Sequence, residues 1–241
     1  LINMASFASG AIQLKNVFLN LKLLPPGSRT VTPVTLTVET AALAGATTLE
    51  LDASAGTIEL LPGQALTFSD LTVNKRRVQV IVTEEASIVS GTPVEVAVAP
   101  IIFPLAANLT ASFIPGMLPL FGITDHSFAQ SDTDVDSTSA ESGSGTEVEK
   151  IRAARTISVS GIERPRDRAL TEIVYRAGQT TQFFGSEVFF LLSYPDGSED
   201  RGVAKIGNLN RPGNMNEIKK YSFELSVQGD TYEYIPAYSF T

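Results

Sequence analysis

The sequence contains no cysteine, no tryptophan and a single histidine, His126. Without cysteine there is no disulfide framework, no thiolate nucleophile and no zinc site of the Cys type. A Ser-His-Asp arrangement would have to take its base from His126, which sits beside Asp125 at the start of a stretch rich in Ser, Thr, Gly and acid. Catalytic constellations need rigid support, so His126 reads as a solvated histidine. Basic residues are scarce as well: the formal net charge is -8 and the longest basic run is Lys75-Arg76-Arg77. Affinity for DNA or RNA comes largely from neutralising phosphates, so tight nucleic-acid binding is not expected. No segment has the apolar length of a bilayer span, and residues 1–10 lack the basic and apolar regions of a cleaved export signal. Met4-Ala5-Ser6 reads as a translation start, with Leu1 to Asn3 upstream of it.

Familiar chemical motifs are missing too. There is no Walker A or dinucleotide fingerprint, and Asn108-Leu109-Thr110 matches a glycosylation acceptor only by letter. Glu84-Glu85 would point to opposite faces of a strand and so cannot converge on one substrate. Asp132, Asp134 and Asp136 imitate the opening of a calcium loop, but Ser137 stands where the sharp turn needs Gly and Gly143 where the twelfth position needs Glu. No metal, cofactor or catalytic residue is expected, and the protein reads as a non-enzyme.

What is present is a folding chain. Hydrophobic residues make up 43% and charged residues 18% of the sequence, a balance that supports a packed core. With 241 residues, one large β domain or two modest ones are open. Period-2 alternation dominates: Val17, Leu19, Leu21 and Leu23 against Phe18, Asn20 and Lys22; then Val34, Leu36, Val38; Val78, Val80, Val82; Val94, Val96, Val98; and Tyr221, Phe223, Leu225, Val227. One segment has helical spacing instead. Ala169, Leu170, Ile173, Val174 and Ala177 recur between Pro165 near the start and Gly178 just past the end, while Arg166, Asp167, Glu172 and Arg176 form the polar face.

Residues 25–119 are rich in Thr, Ala, Val and Pro and carry a faint repeat. The segment from Gly45 to Leu51 echoes that from Gly91 to Val96, and Leu61-Pro62 leading to Leu66-Thr67 echoes Phe103-Pro104 leading to Leu109-Thr110. This predicts a small inserted β domain, with 1–24 and 120–241 forming the main β domain. Residues 125–149 lose apolar periodicity and gain acid: Asp125, Asp132, Asp134, Asp136, Glu141, Glu147 and Glu149. Such a segment buries too little to offset its ordering entropy, which predicts a long mobile loop that becomes ordered between subunits or rings. Beyond it come a strand over 151–159, the helix, and a hairpin with arms at 187–194 and 201–206. Pro195-Asp196-Gly197 supplies the turn of that hairpin. A second turn, 210–214, precedes the last alternating strand.

This order of parts resembles the major tail tube protein family of tailed bacteriophages. The likeness is carried by Phe7 to Leu24, the acidic segment, the helix at Ala169 to Ala177, Tyr194-Pro195-Asp196-Gly197, and Lys220 to Val227. It covers a little over half the chain; the insertion departs from the family plan and is similar to β modules that decorate phage structural proteins. The resemblance implies an all-β fold with one helix, two packed antiparallel sheets and an external inserted domain. It further implies self-assembly into stacked hexameric rings, with tape measure, terminator and baseplate or tip proteins as neighbours. DNA would pass through without specific binding, and the chain, made in the bacterial host cytoplasm, would reside in the virion tail. An acidic inner wall built from 151–159 and 219–227 would let DNA slide. The alternative is an adhesive or receptor- or carbohydrate-binding β module of a virion, which would normally display exposed aromatic platforms.

Overall fold

The computed structural model describes residues 17–70, 76–136, 148–179, 186–211, 218–228 and 231–237; for 132–136, 148–152 and 179 the backbone alone is considered. The expected second turn falls mostly outside these residues, as do Glu141, Glu147 and the start of the expected first strand region. The chain opens with β1 (Phe18–Leu23) and then runs through β2 (Val34–Val38), β3 (Thr48–Ala53), β4 (Thr57–Leu60), β5 (Ala65–Asp70), β6 (Arg76–Ile81), β7 (Ala86–Val89), β8 (Val94–Ala97) and β9 (Thr110–Phe113). It continues with β10 (Leu118–Leu120), β11 (Ile123–Asp136) and β12 (Val148–Ile162). A π-helical turn, Ala169–Val174, passes into α1 (Tyr175–Gln179), and β13 (Glu187–Ser193), β14 (Glu199–Asn210), β15 (Lys220–Val227) and β16 (Glu233–Ile235) complete the fold.

The architecture is all-β with antiparallel sheets. Eight strands form the body in the order β10-β1-β13-β14-β15-β12-β11, with β16 paired to β14. The two ends of that order, β10 and β11, are separated in sequence only by Phe121 and Gly122, so the sheet curls on itself. The two packed sheets expected from the sequence are therefore two walls of one curled sheet. Its concave side is filled by Leu19, Leu21, Val159, Phe190, Leu192, Phe223 and Leu225 together with Ala169, Leu170, Ile173 and Val174 of the helical segment.

The seam of the curl is tightly specified. Gly122 has φ +72, and a Cβ there would lie 2.1 Å from the Ile162 carbonyl oxygen. Gly161, directly across the ladder from Ile123, leaves no space for a Cβ either: it would fall 2.5 Å from the Gly122 carbonyl and 2.5 Å from the Tyr221 hydroxyl. That hydroxyl donates to the Phe121 carbonyl at 2.8 Å, and Ile162 N–H donates to Gly122 O at 2.8 Å. Asp167, expected on the exposed face of the helix, is instead 2% exposed. Its carboxylate accepts from Leu170 N–H at 3.0 Å, capping the first helical turn, and from Phe121 N–H at 2.9 Å. One side chain thereby ties the helix start to the seam. Gly178, expected just beyond the helix, lies within its last turn, where a Cβ would sit 2.7 Å from Leu209. Close approach to β14, rather than a left-handed cap, accounts for that glycine.

Residues 34–113 hold all the strands of a second unit. Its six-stranded sheet, β6-β5-β9-β2-β3-β8, also closes: Val82 bridges Val98, Ala99 N–H donates to Ile81 O at 2.8 Å and Thr83 N–H to Ala97 O at 3.0 Å. The result is a small barrel with its own core, in which Leu36, Leu51, Phe68, Val80 and Val96 are buried, and the paired β4 and β7 contribute Ile58, Leu60 and Ile88. The two echoing segments pair as neighbours, since Leu49, Glu50 and Leu51 of β3 face Val96, Glu95 and Val94 of β8. Leu118 and Pro119, assigned by sequence to the insertion, pair with β1 and belong to the body.

The barrel docks on the convex side of β1 and β13. Phe18 packs with Ala65, Ile81 and Ala99, and Asn20 is 3% exposed, so β1 is covered on both faces rather than one. Gln64 donates to Met117 O at 2.7 Å, and Arg77 pairs with Glu199 at 3.0 Å across the junction.

Burial raises the Asp167 carboxyl above the usual carboxylate range; hydrogen bonds from Leu170, Phe121 and Ala169 N–H oppose the shift. Between the ordinary Asp value, about 3.9, and the raised value, the folded state binds more protons than the unfolded one, so stability falls as pH rises through that window. Urea unfolding of the wild type, referenced to Asp167→Asn at each pH, should therefore show a difference that declines with rising pH. An increasing difference would mean that the backbone donors outweigh burial.

Candidate assembly surface

Within the acidic segment 125–149, residues 125–136 and 148–149 lie on two paired strands, and 137–147 fall outside the described residues. β11 and β12 pair continuously from Ile123↔Gly161 to Asp136↔Val148, with irregularities between Ile123 and Asp125 and between Thr133 and Asp134. This corrects the expected loop: Asp125, Asp132, Asp134, Asp136 and Glu149 lie on extended, paired backbone, while Glu141 and Glu147 lie outside the described residues. The physical reason is that cross-strand backbone pairing sustains a two-stranded ribbon, which needs no apolar alternation.

Pairing of β12 with β15 stops at Thr156↔Ser226. The ribbon formed by 129–136 and 148–155 therefore projects past the body on two strands alone. Its root is anchored by aromatic contacts: the Phe128 ring lies 5.6 Å from that of Tyr232, and the Arg155 guanidinium stacks 4.8 Å over Tyr232. Tyr232 and Tyr194 each donate to the buried Asp200 carboxylate at 2.6 Å. Burial, reinforced by that carboxylate, pushes both phenols well above their ordinary pKa, so they stay protonated donors. His126 packs at 6.0 Å from the Tyr194 ring, half-buried in this anchor and not a solvated loop side chain.

Among the described residues β11 pairs with β12 on one side and with no strand on the other. Its outer edge therefore presents a row of backbone N–H and C=O groups, and Thr124, Asp125 and Ser127 to Ser131 are exposed along it. The opposite end of the sheet differs. β10 is three residues long, and the turn bearing Gln64 covers it by bonding Met117 O.

Next to the open edge, the convex face of β11, β12 and β15 is polar. Asp125, Ser127, Ser158, Ser160, Ser222 and Glu224 line one shallow depression. Register places them together, since Ser158 faces Glu224 and Ser160 faces both Ser222 and Asp125. The strands proposed from sequence as an inner wall are thus adjacent, with Ile157, Val159, Tyr221, Phe223 and Leu225 turned to the core. Because the sheet curls, this polar wall and the barrel-bearing wall of β1 and β13 lie on opposite sides of the body.

No protein-family model matches the chain, and no curated protein matches it. Among solved structures, a chain in the virion of a native gene transfer agent particle is similar with a TM-score of 0.41 and 19% identity, covering 50% of this chain and 89% of that chain. A chain in the tail of an empty gene transfer agent particle with C6 symmetry is similar with a TM-score of 0.40 and 19% identity, covering 50% and 87%. A likeness this distant carries no functional argument, and the reading of the chain rests on its own geometry.

The open edge has a direct readout. In the dispersed subunit, alternate amides between Asp125 and Ser131 should exchange rapidly while their neighbours, bonded to β12, are protected. In the assembled protein the fast set should become protected; equal exchange of that set in both states would rule out β11 as a contact.

Proposed function

We propose that the chain is a structural, non-enzymatic subunit of a phage tail tube, with six copies joined in a ring and rings stacked into the conduit for genome delivery. The observation that carries this reading is the open outer edge of β11, fourteen residues long, in a chain whose barrel sheet is closed. A long open edge is a liability for a monomer and a template for pairing with another chain. Contacts between copies that close by rotation give rings, and head-to-tail contacts that do not close give open stacks.

The polar wall suits a conduit. DNA is retained by cations that pair with its phosphates, and repetition around and along a tube multiplies that retention. On the convex face of β11, β12, β14 and β15, Asp125 and Glu224 stand against Lys205 and Lys220, with serines between them. The strongly acidic wall expected from net charge becomes, on this face, a hydroxyl-rich wall with balanced charge. Away from Lys220 at its edge, such a surface holds no cluster of cations for phosphates to grip. The barrel, on the opposite wall, then faces outward as an ornament. Tape measure, terminator and baseplate or tip proteins would meet the ends of the stack, and the location is the virion tail.

Negative-stain electron microscopy and sedimentation of the purified chain, taken to high protein concentration, test the proposal. Rings and tubes with a central lumen are expected. A monomer at every concentration and salt would overturn it.

A further inference from the structure

The two ends of the body differ in charge. At the ribbon end, strand positions Asp132, Asp134, Asp136 and Glu149 outnumber Lys150 and Arg152. At the other end, where β12 finishes at Ile162, the chain makes an exposed corner containing Arg164 and Arg166, with Lys219 and Lys220 beside it. Glu163 N–H donates to Lys219 O at 2.9 Å and Ile162 faces Lys220, which brings the two segments together. The acids of this corner are already engaged: Glu163 pairs with Arg211, Glu172 with Arg168, and Asp167 is buried in the seam. Arg164, Arg166, Lys219 and Lys220 have no ion-pair partner among the described residues. At a rise of about 3.3 Å per residue, β12 separates the two ends by roughly 45 Å.

Arg166 adds an independent observation. Asp167 N–H closes a turn onto Arg164 O at 3.3 Å, with Pro165 second and Arg166 third at φ +65. That third position of a type II turn favours Gly or Asn, and a long side chain there carries backbone strain. The turn tolerates an unfavourable residue that displays a guanidinium outward.

We propose that this basic corner is a docking surface for a second copy of the chain, and that it receives the acidic strand ends of that copy's β11–β12 ribbon in a head-to-tail contact. The inference rests on the tube reading above and names the contact that stacks one ring on the next. Charge complementarity selects the occupant, and the opposed positions of the two charged ends give the contact its direction. A single exposed ion pair is weak, but repetition around a ring makes the sum large and steeply dependent on salt.

The test uses the full chain. Assembly of the wild type is followed by sedimentation and electron microscopy between about 0.1 M and about 1 M NaCl, over which the screening length falls from about 10 Å to about 3 Å. Tubes should shorten to rings as salt rises. The double variants Arg164→Glu/Arg166→Glu and Asp132→Lys/Asp134→Lys should each cut the tube fraction by about tenfold or more. A mixture of the two should restore it by alternate stacking. Arg166→Gly relieves the strained turn, so it should unfold at an equal or higher midpoint while still stacking less than the wild type.

If the wild type never assembles, the tube reading fails. If it assembles and the charge reversals leave tube length unchanged, that reading stands and the docking inference falls. If the reversals spare stacking but abolish binding of a duplex DNA probe, the corner is a phosphate site and the docking inference is overturned.

Discussion

An antiparallel sheet must satisfy its backbone somewhere, either by closing on itself or by finding another strand, and this chain applies both solutions in one molecule. The barrel of residues 34–113 joins the two ends of its six-stranded sheet through the Val82–Val98 bridge and the hydrogen bonds beside it. The body curls far enough for Phe121 and Gly122 to join its two ends in sequence, yet β11 keeps its outer edge. The close contacts of Gly122, Gly161, Tyr221 and Asp167 set how far the curl goes, and so fix where that edge lies. The long open backbone edge of the body is thereby confined to one strand.

The junction between the two units explains how an inserted domain can be carried without disturbing that strand. It covers β1, β13 and the beginning of β14, on the wall opposite the polar strands, and mixes apolar packing around Phe18 with the Arg77–Glu199 pair and the Gln64 hydrogen bond. The Arg77–Glu199 pair is largely buried, with side-chain exposures of 16% and 10%. Losing either partner would leave an uncompensated charge, so the pair fixes the docking geometry more than it adds net stability.

Much of this was legible in the sequence, because apolar alternation reports any strand with one face in a core. Leu19 and Leu21, Tyr221, Phe223 and Leu225, and the Pro195-Asp196-Gly197 turn appear as expected, with Gly197 at φ +90 and Asp196 accepting from Ser198 N–H. The ribbon of β11 and β12 was missed for the converse reason. Its stability comes from cross-strand hydrogen bonds and its faces are polar, so hydropathy carries no trace of it. Burial of Asp167 is not legible in the sequence because its backbone partners include Phe121, 46 residues away, a contact no local pattern encodes. Closure of the barrel likewise depends on a non-local pairing, Val82 with Val98. The basic corner is not visible in the sequence because Lys219 and Lys220 are far from Arg164 and Arg166 along the chain and meet them only through the ladder between β12 and β15.

The central claim is that the outer edge of β11 is completed by a strand from a second copy. A reconstruction of the assembled protein that resolves individual strands tests it most directly. The account predicts a strand of the neighbouring copy running beside Asp125 to Ser131 within hydrogen-bonding distance of the β11 backbone, with the serine-lined wall toward the lumen and the barrel outside. An assembly in which that edge remains in solvent, or in which the barrel lines the channel, would contradict it.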